Sequence, residues 1–199
     1  MPLSKNDAHA RYEAGTIRWD ECDEIERTRD RYGGAWRFRN TGVPVASLFE
    51  ALATGGSTAG FAAAHETAHA RPSPRKVLRF LADQLDEAYE ATWKHDGPQK
   101  ATPALLDGGE QHRDSEHDPD AIHWKHCGAA WRNAERMSGS WCIRNTRFPL
   151  SQLFLNLADE DSVRGVADIY QITASDMVPV LQFLADELGP HPTDTLREP

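Results

Sequence analysis

The chain has 199 residues, with 22 Lys and Arg against 31 Asp and Glu, a net charge of −9, 39% hydrophobic residues and 3 Cys. That length holds one domain or two small ones. The acidic balance excludes a protein that coats nucleic acid indiscriminately, while leaving room for a local basic patch. No run approaches the ~18–20 apolar residues of a membrane span, and the N-terminus lacks the apolar stretch of a signal peptide. Three Cys without clustered spacing make no disulfide framework, so the expected location is the reducing cytoplasm.

Residues 1–16 read as a flexible N-terminus. Within 17–90, Trp36-Arg37-Phe38-Arg39 alternates large apolar with basic side chains and predicts a short strand. Asn40-Thr41-Gly42 supplies turn chemistry. Pro44 fits the first turn of a helix that sets Leu48, Phe49 and Leu52 on one stripe. Ser57 caps a second helix expected over 58–70, and Ser73-Pro74 opens a third that turns Val77, Leu78, Leu81 and Leu85 inward to about residue 90. Residues 91–120 hold 3 basic against 7 acidic side chains, with several Gly and Pro and little periodicity. Such a segment buries too little apolar surface to offset its ordering entropy, and it reads as an acidic flexible linker.

Residues 121–190 repeat the first pattern. Placed without a gap, 17–60 and 122–165 are identical at about 17 of 44 positions, far above chance. The pairs include Trp19/Trp124, Cys22/Cys127, Trp36/Trp141, Pro44/Pro149, Leu48/Leu153, Phe49/Phe154 and Leu52/Leu157. After a two-residue length difference, VLRFLADQL meets VLQFLADEL. In the second repeat Ser162 caps a helix over 163–170; Asp176 takes the cap of the last helix, putting Pro179 at its third residue. Residues 191–199 read as a flexible tail. Each repeat of about 70 residues is near the lower limit for an independent core, so the two are expected to pack on each other or on another chain. The expected fold is mainly α: two tandem three-helix modules of helix-turn-helix type, each with a short N-terminal β element.

The strings WCIRNTRFPLSQLFLNLADEDSV and, more loosely, WRFRNTGVPVASLFEALATGGST resemble the domain-of-unknown-function 433 family. The resemblance covers about 140 residues over both repeats. It implies homeodomain-like helix-turn-helix modules and an antitoxin encoded beside a PIN-like ribonuclease toxin, which it would bind along with its own promoter. Gly42 departs from the Arg found in the family and at Arg147, and a tandem pair in one chain is not its usual layout.

Arg71, Arg75, Lys76 and Arg79, with no acid between them, are the candidate DNA-binding residues. Three of them lie at the start of the third helix, where such a module presents its reader to the major groove. The plain alternative is a solvated face. The second repeat has Ala174, Val178, Pro179 and Gln182 at those places, so the first repeat would do any reading. Arg39, Asn40, Thr41 and Arg144, Asn145, Thr146, Arg147 are a candidate partner-contact motif, with turn closure as the favoured reading. His123, His126 and Cys127, with His112 and His117 upstream, nearly make a ligand cluster, but no zinc spacing appears and no metal is expected. Nucleophile elbow, phosphate loop and buried carboxylate pair are all missing, so neither an enzyme nor a cofactor is expected. The expected function is an antitoxin-like regulator binding a partner protein and double-stranded DNA; the alternative is a protein-interaction module with no DNA affinity. A homo-oligomer is left open and no membrane contact is expected.

Overall fold

The computed structural model describes residues 15–27, 34–68, 70–96, 120–132, 140–160 and 162–189, with side chains of the 70–96 segment described as far as 86. The N-terminal 14 residues, most of the linker with His112 and His117, and the tail lie outside the described residues. The first repeat runs β1 (Thr16–Arg18), a 3-10 turn (Trp19–Glu21), β2 (Ile25–Arg27), β3 (Trp36–Phe38), α1 (Ala46–Ala53), α2 (Thr58–Ala64) and α3 (Pro74–Asp96). The second runs β4 (Ala121–His123), a 3-10 turn (Trp124–His126), β5 (Ala130–Arg132), β6 (Trp141–Ile143), α4 (Leu150–Glu160), α5 (Val163–Tyr170) and α6 (Ala174–Leu188). Six helices and three two-stranded sheets make the described residues mainly α.

Local chemistry explains most element ends. Ser57 and Ser162 cap α2 and α5 by accepting from the amides of Gly60 and Gly165. α2 stops at Ala64, six residues before the expected end, with the His65 ring tilted against that of Phe61 at 4.6 Å. α3 continues through Asp96, so the first six residues of the expected linker are helical. The cap of α6 is Thr173 rather than Asp176: the Asp176 carboxylate accepts from the Thr173 amide at 3.2 Å, the third-residue half of a capping box. Pro179 therefore sits inside the helix, where it leaves the Ser175 carbonyl without its usual amide donor.

The two repeats are related by a local two-fold axis. β1 and β4 pair antiparallel with Ile17 opposite Ile122, two residues that hold the same place in the repeat. Ser57 and Ser162, again equivalent, form a bridge of their own. About this axis the helices are exchanged: α3 of the first repeat lies along α4 of the second, and α6 of the second lies along α1 of the first. The most extensive helix packing is therefore between the repeats, while α2 and α5 also touch the helices that flank them within their own repeat. Trp19, Phe49, Leu52, Leu78 and Leu81 join Trp124, Phe154, Leu157, Leu181 and Leu184 in one apolar cluster. Each such buried side chain contributes about 1.5–3 kcal/mol. α1 has only eight residues, too few to persist without that cover.

Polar contacts tie the repeats at the same seam. The Trp19 amide donates to the Asp120 carbonyl at 2.9 Å, and the Trp124 amide to the Gly15 carbonyl at 3.1 Å. Here the symmetry breaks. Asp120 pairs with Arg27 at 3.2 Å, their side chains 25% and 8% exposed, whereas the equivalent Gly15 has a positive φ of 59° and lies so close to Trp124 and Trp141 that a Cβ would come within 2.7 Å of both. Asp120→Ala removes the carboxylate from this pair while Arg27 keeps its hydrogen bond to the Gly34 carbonyl, and is expected to cost about 1–3 kcal/mol, reduced from the fully buried case by the exposure of the carboxylate. Urea unfolding reads this directly; a change within error would mean water already screens the pair.

Candidate interaction surfaces

The shared Arg-Asn-Thr motif is a structural corner in both repeats. Asn40 and Asn145 take left-handed φ values of 60° and 63°, which Asn tolerates better than most residues. Thr41 Oγ1 donates to the Phe38 carbonyl at 2.8 Å and accepts from the Val43 amide at 3.1 Å; Thr146 does the same with Ile143 and Phe148 at 2.9 and 3.0 Å. The Arg39 and Arg144 amides donate to the carbonyls of Glu24 and Ala129, locking the corner onto the preceding loop. The side chains then diverge. Arg39 donates to the carbonyls of Asp23 and Ile25 at 2.7 and 3.1 Å, and Arg37 to that of Gly42, so the guanidinium groups of the first repeat are engaged with backbone. Arg144 and Arg147 of the second repeat are exposed and make no side-chain hydrogen bond or ion pair among the described residues.

The basic face of α3 is folded against acids that lie far away in sequence. Lys76 Nζ is 2.6 Å from Glu24, Arg79 Nη2 is 2.8 Å from Asp159 of the second repeat, and Arg71 is 3.7 Å from Glu66. Glu24 raises the Lys76 ammonium above its ordinary pKa, chiefly through their hydrogen bond. Arg75 is exposed on the same helix, and Asp83 and Asp86 are exposed further along it. Three of the four candidate DNA contacts thus have a carboxylate of their own. Pairs this exposed are weak and screened by salt, so a phosphate could displace the carboxylates, but little positive charge is left uncompensated.

The cysteines and tryptophans belong to the interior. Burial pushes the Cys127 and Cys142 thiols up to about 11, and it raises Cys22 as well. Protonated thiols are poor nucleophiles and poor metal ligands. The His123 and His126 rings stand edge to face at 5.7 Å, and His123 Nδ1 lies 2.8 Å from Thr16 Oγ1 across the β1–β4 seam. Among the described residues no group of three or more His, Cys, Asp or Glu is placed to hold a metal ion. Nor is any described helix long and apolar enough to cross a membrane.

One surface lies outside the sequence-derived candidates apart from its Arg147 edge. Phe148 and Tyr170 pack ring against ring at 4.8 Å, and Tyr170 donates its hydroxyl to Asn156 Oδ1 at 2.9 Å. Tyr170 is nevertheless 42% exposed and the neighbouring Ile169 52%, with Leu155 on α4 at 36%; these are the exposed large apolar side chains of the described residues. The corresponding places of the first repeat hold Val43, His65, Ala64 and Glu50. The available signal was a difference between the repeats, polar or small in one and large and apolar in the other.

Residues 132–184 match the family model described as Protein of unknown function (DUF433), a match that falls on the second repeat from β5 to within α6. No curated protein and no solved structure matches the chain.

Proposed function

We propose that the chain is an antitoxin-like regulatory protein whose primary act is to bind a partner protein through its second repeat. The observation that carries this reading is the exposure of Ile169 and Tyr170 beside the half-buried Phe148, which the first repeat lacks. Large apolar side chains left in water at one of two related sites favour an interface over an accident of composition. The resemblance of both repeats to a family that includes antitoxins adds a PIN-like ribonuclease as the candidate partner. Inhibition would then be steric, the bound chain covering the partner's RNA-binding surface. Calorimetric titration with the product of the adjacent gene tests the reading: a stoichiometric complex supports it, and no heat at micromolar concentrations removes it.

DNA contact through α3 is the second reading, favoured by the exposed Arg75, Lys76 and Arg79. On that reading, fluorescence anisotropy with DNA from upstream of the gene gives a salt slope of about two to four phosphate contacts. Replacing Arg75, Lys76 and Arg79 together by Ala abolishes the binding and leaves folding intact, since only exposed ion pairs are lost. Equal binding by the triple variant removes DNA recognition by α3 while leaving the partner reading untouched.

A further inference from the structure

We infer that Arg147, Phe148, Ile169 and Tyr170 form a docking surface for a partner segment that is both acidic and apolar; this deepens the partner-binding reading and rests on it. The apolar half is Tyr170, its ring tilted against the half-buried Phe148, and its helix neighbour Ile169, two of the three exposed large apolar side chains of the described residues. The charged half is local. Residues 140–158 contain two arginines, Arg144 and Arg147, and no acid, within a chain of net charge −9. Both guanidinium groups are exposed and without a described ion-pair partner, in contrast to the ion-paired cations of α3. Asp168 is the acid nearest in sequence to Ile169 on α5, with Arg164 four residues before it.

Two other occupants fit less well. A second molecule of this chain meeting the surface about a two-fold axis would bring four arginines into one interface with no acid from 140–158 to offset them. RNA would find no hydrogen-bonding group on Ile169, and the overall negative charge would oppose its approach. An acidic segment with apolar side chains satisfies both halves: its carboxylates meet Arg144 and Arg147, and its apolar side chains cover Ile169 and the ring edges. The first repeat cannot substitute, having Gly42 in place of Arg147, Val43 in place of Phe148 and Ala64 in place of Ile169.

The test uses the full chain and three dye-labelled probes: a short peptide of alternating Glu and Leu, the same peptide with Lys for Glu, and a short single-stranded RNA. The expected anisotropy result is binding of the acidic peptide only, weakened about tenfold or more by Arg147→Glu and by Ile169→Ser. Both variants should keep the wild-type circular dichroism, and Ala64→Ser in the first repeat should bind as wild type. Equal binding of the two peptides, tighter binding of RNA, or a concentration-dependent dimer lost in Ile169→Ser would each overturn the assignment. If the acidic peptide binds both variants like wild type, or binds nothing while the adjacent gene product still forms its complex, this surface is wrong and the partner reading stands. Loss of that complex altogether is the separate failure of the partner reading.

Discussion

Trp124→Ala is expected to lower stability by about 3–5 kcal/mol and to do so in both repeats at once. Trp124 is fully buried, its ring 5.7 Å from Phe154 on α4 and 5.7 Å from Phe183 on α6. Those two helices are the ones that lie against α3 and α1 of the first repeat, so a cavity at Trp124 loosens the seam and not one half. Its indole N–H has no hydrogen-bond partner among the described residues, and the same holds for the equivalent Trp19. The loss is therefore packing alone, and Trp124→Phe should recover a large part of it. A domain of this size has only ~5–15 kcal/mol to lose. Urea unfolding followed by amide exchange in α1 and α4 gives the answer: one transition, shifted equally in both helices, is expected. An unshifted α1 would mean that the repeats unfold separately.

Dividing the chain has the second large effect. Residues 120–189 alone would leave Ile122, the Leu153, Phe154 and Leu157 stripe of α4 and the Val180, Leu181 and Leu184 stripe of α6 without the strand and helices that cover them. Such a fragment is expected to be unfolded at low concentration. As concentration rises it should gain helix and become a dimer, because the two-fold relation lets a second copy of the fragment take the place of the first repeat: Ile122 faces Ile122, and α4 lies along the other fragment's α6. Light scattering combined with circular dichroism over a concentration series checks this. A folded monomer at all concentrations would show that each repeat carries a sufficient core of its own.

The repeat, the caps at Ser57 and Ser162, the turn at Asn40 and Asn145 and the inward stripes were legible because each is written in a few neighbouring residues. Which helix covers which was not. The stripe of Val77, Leu78 and Leu81 states that α3 buries one face, and it serves equally well against α1 or α4. β1 and β4 have three residues each, too few for alternation to register, and their pairing joins residues more than a hundred positions apart. The cations of α3 were visible for a similar local reason. Their carboxylates were not, since Glu24 precedes Lys76 by 52 residues and Asp159 follows Arg79 by 80. Ile169 and Tyr170 belong to no motif the repeats share; what marks them is the loss of identity between the repeats.

The packing between the two repeats makes them halves of one exchanged core. Its most direct test is a protease site placed within residues 97–119 of the full chain, cut after folding and followed by size-exclusion chromatography with light scattering. The two pieces should stay together at close to the 22.2 kDa of the intact chain, with an unfolding midpoint that now rises with protein concentration. Two separable, folded halves would contradict it.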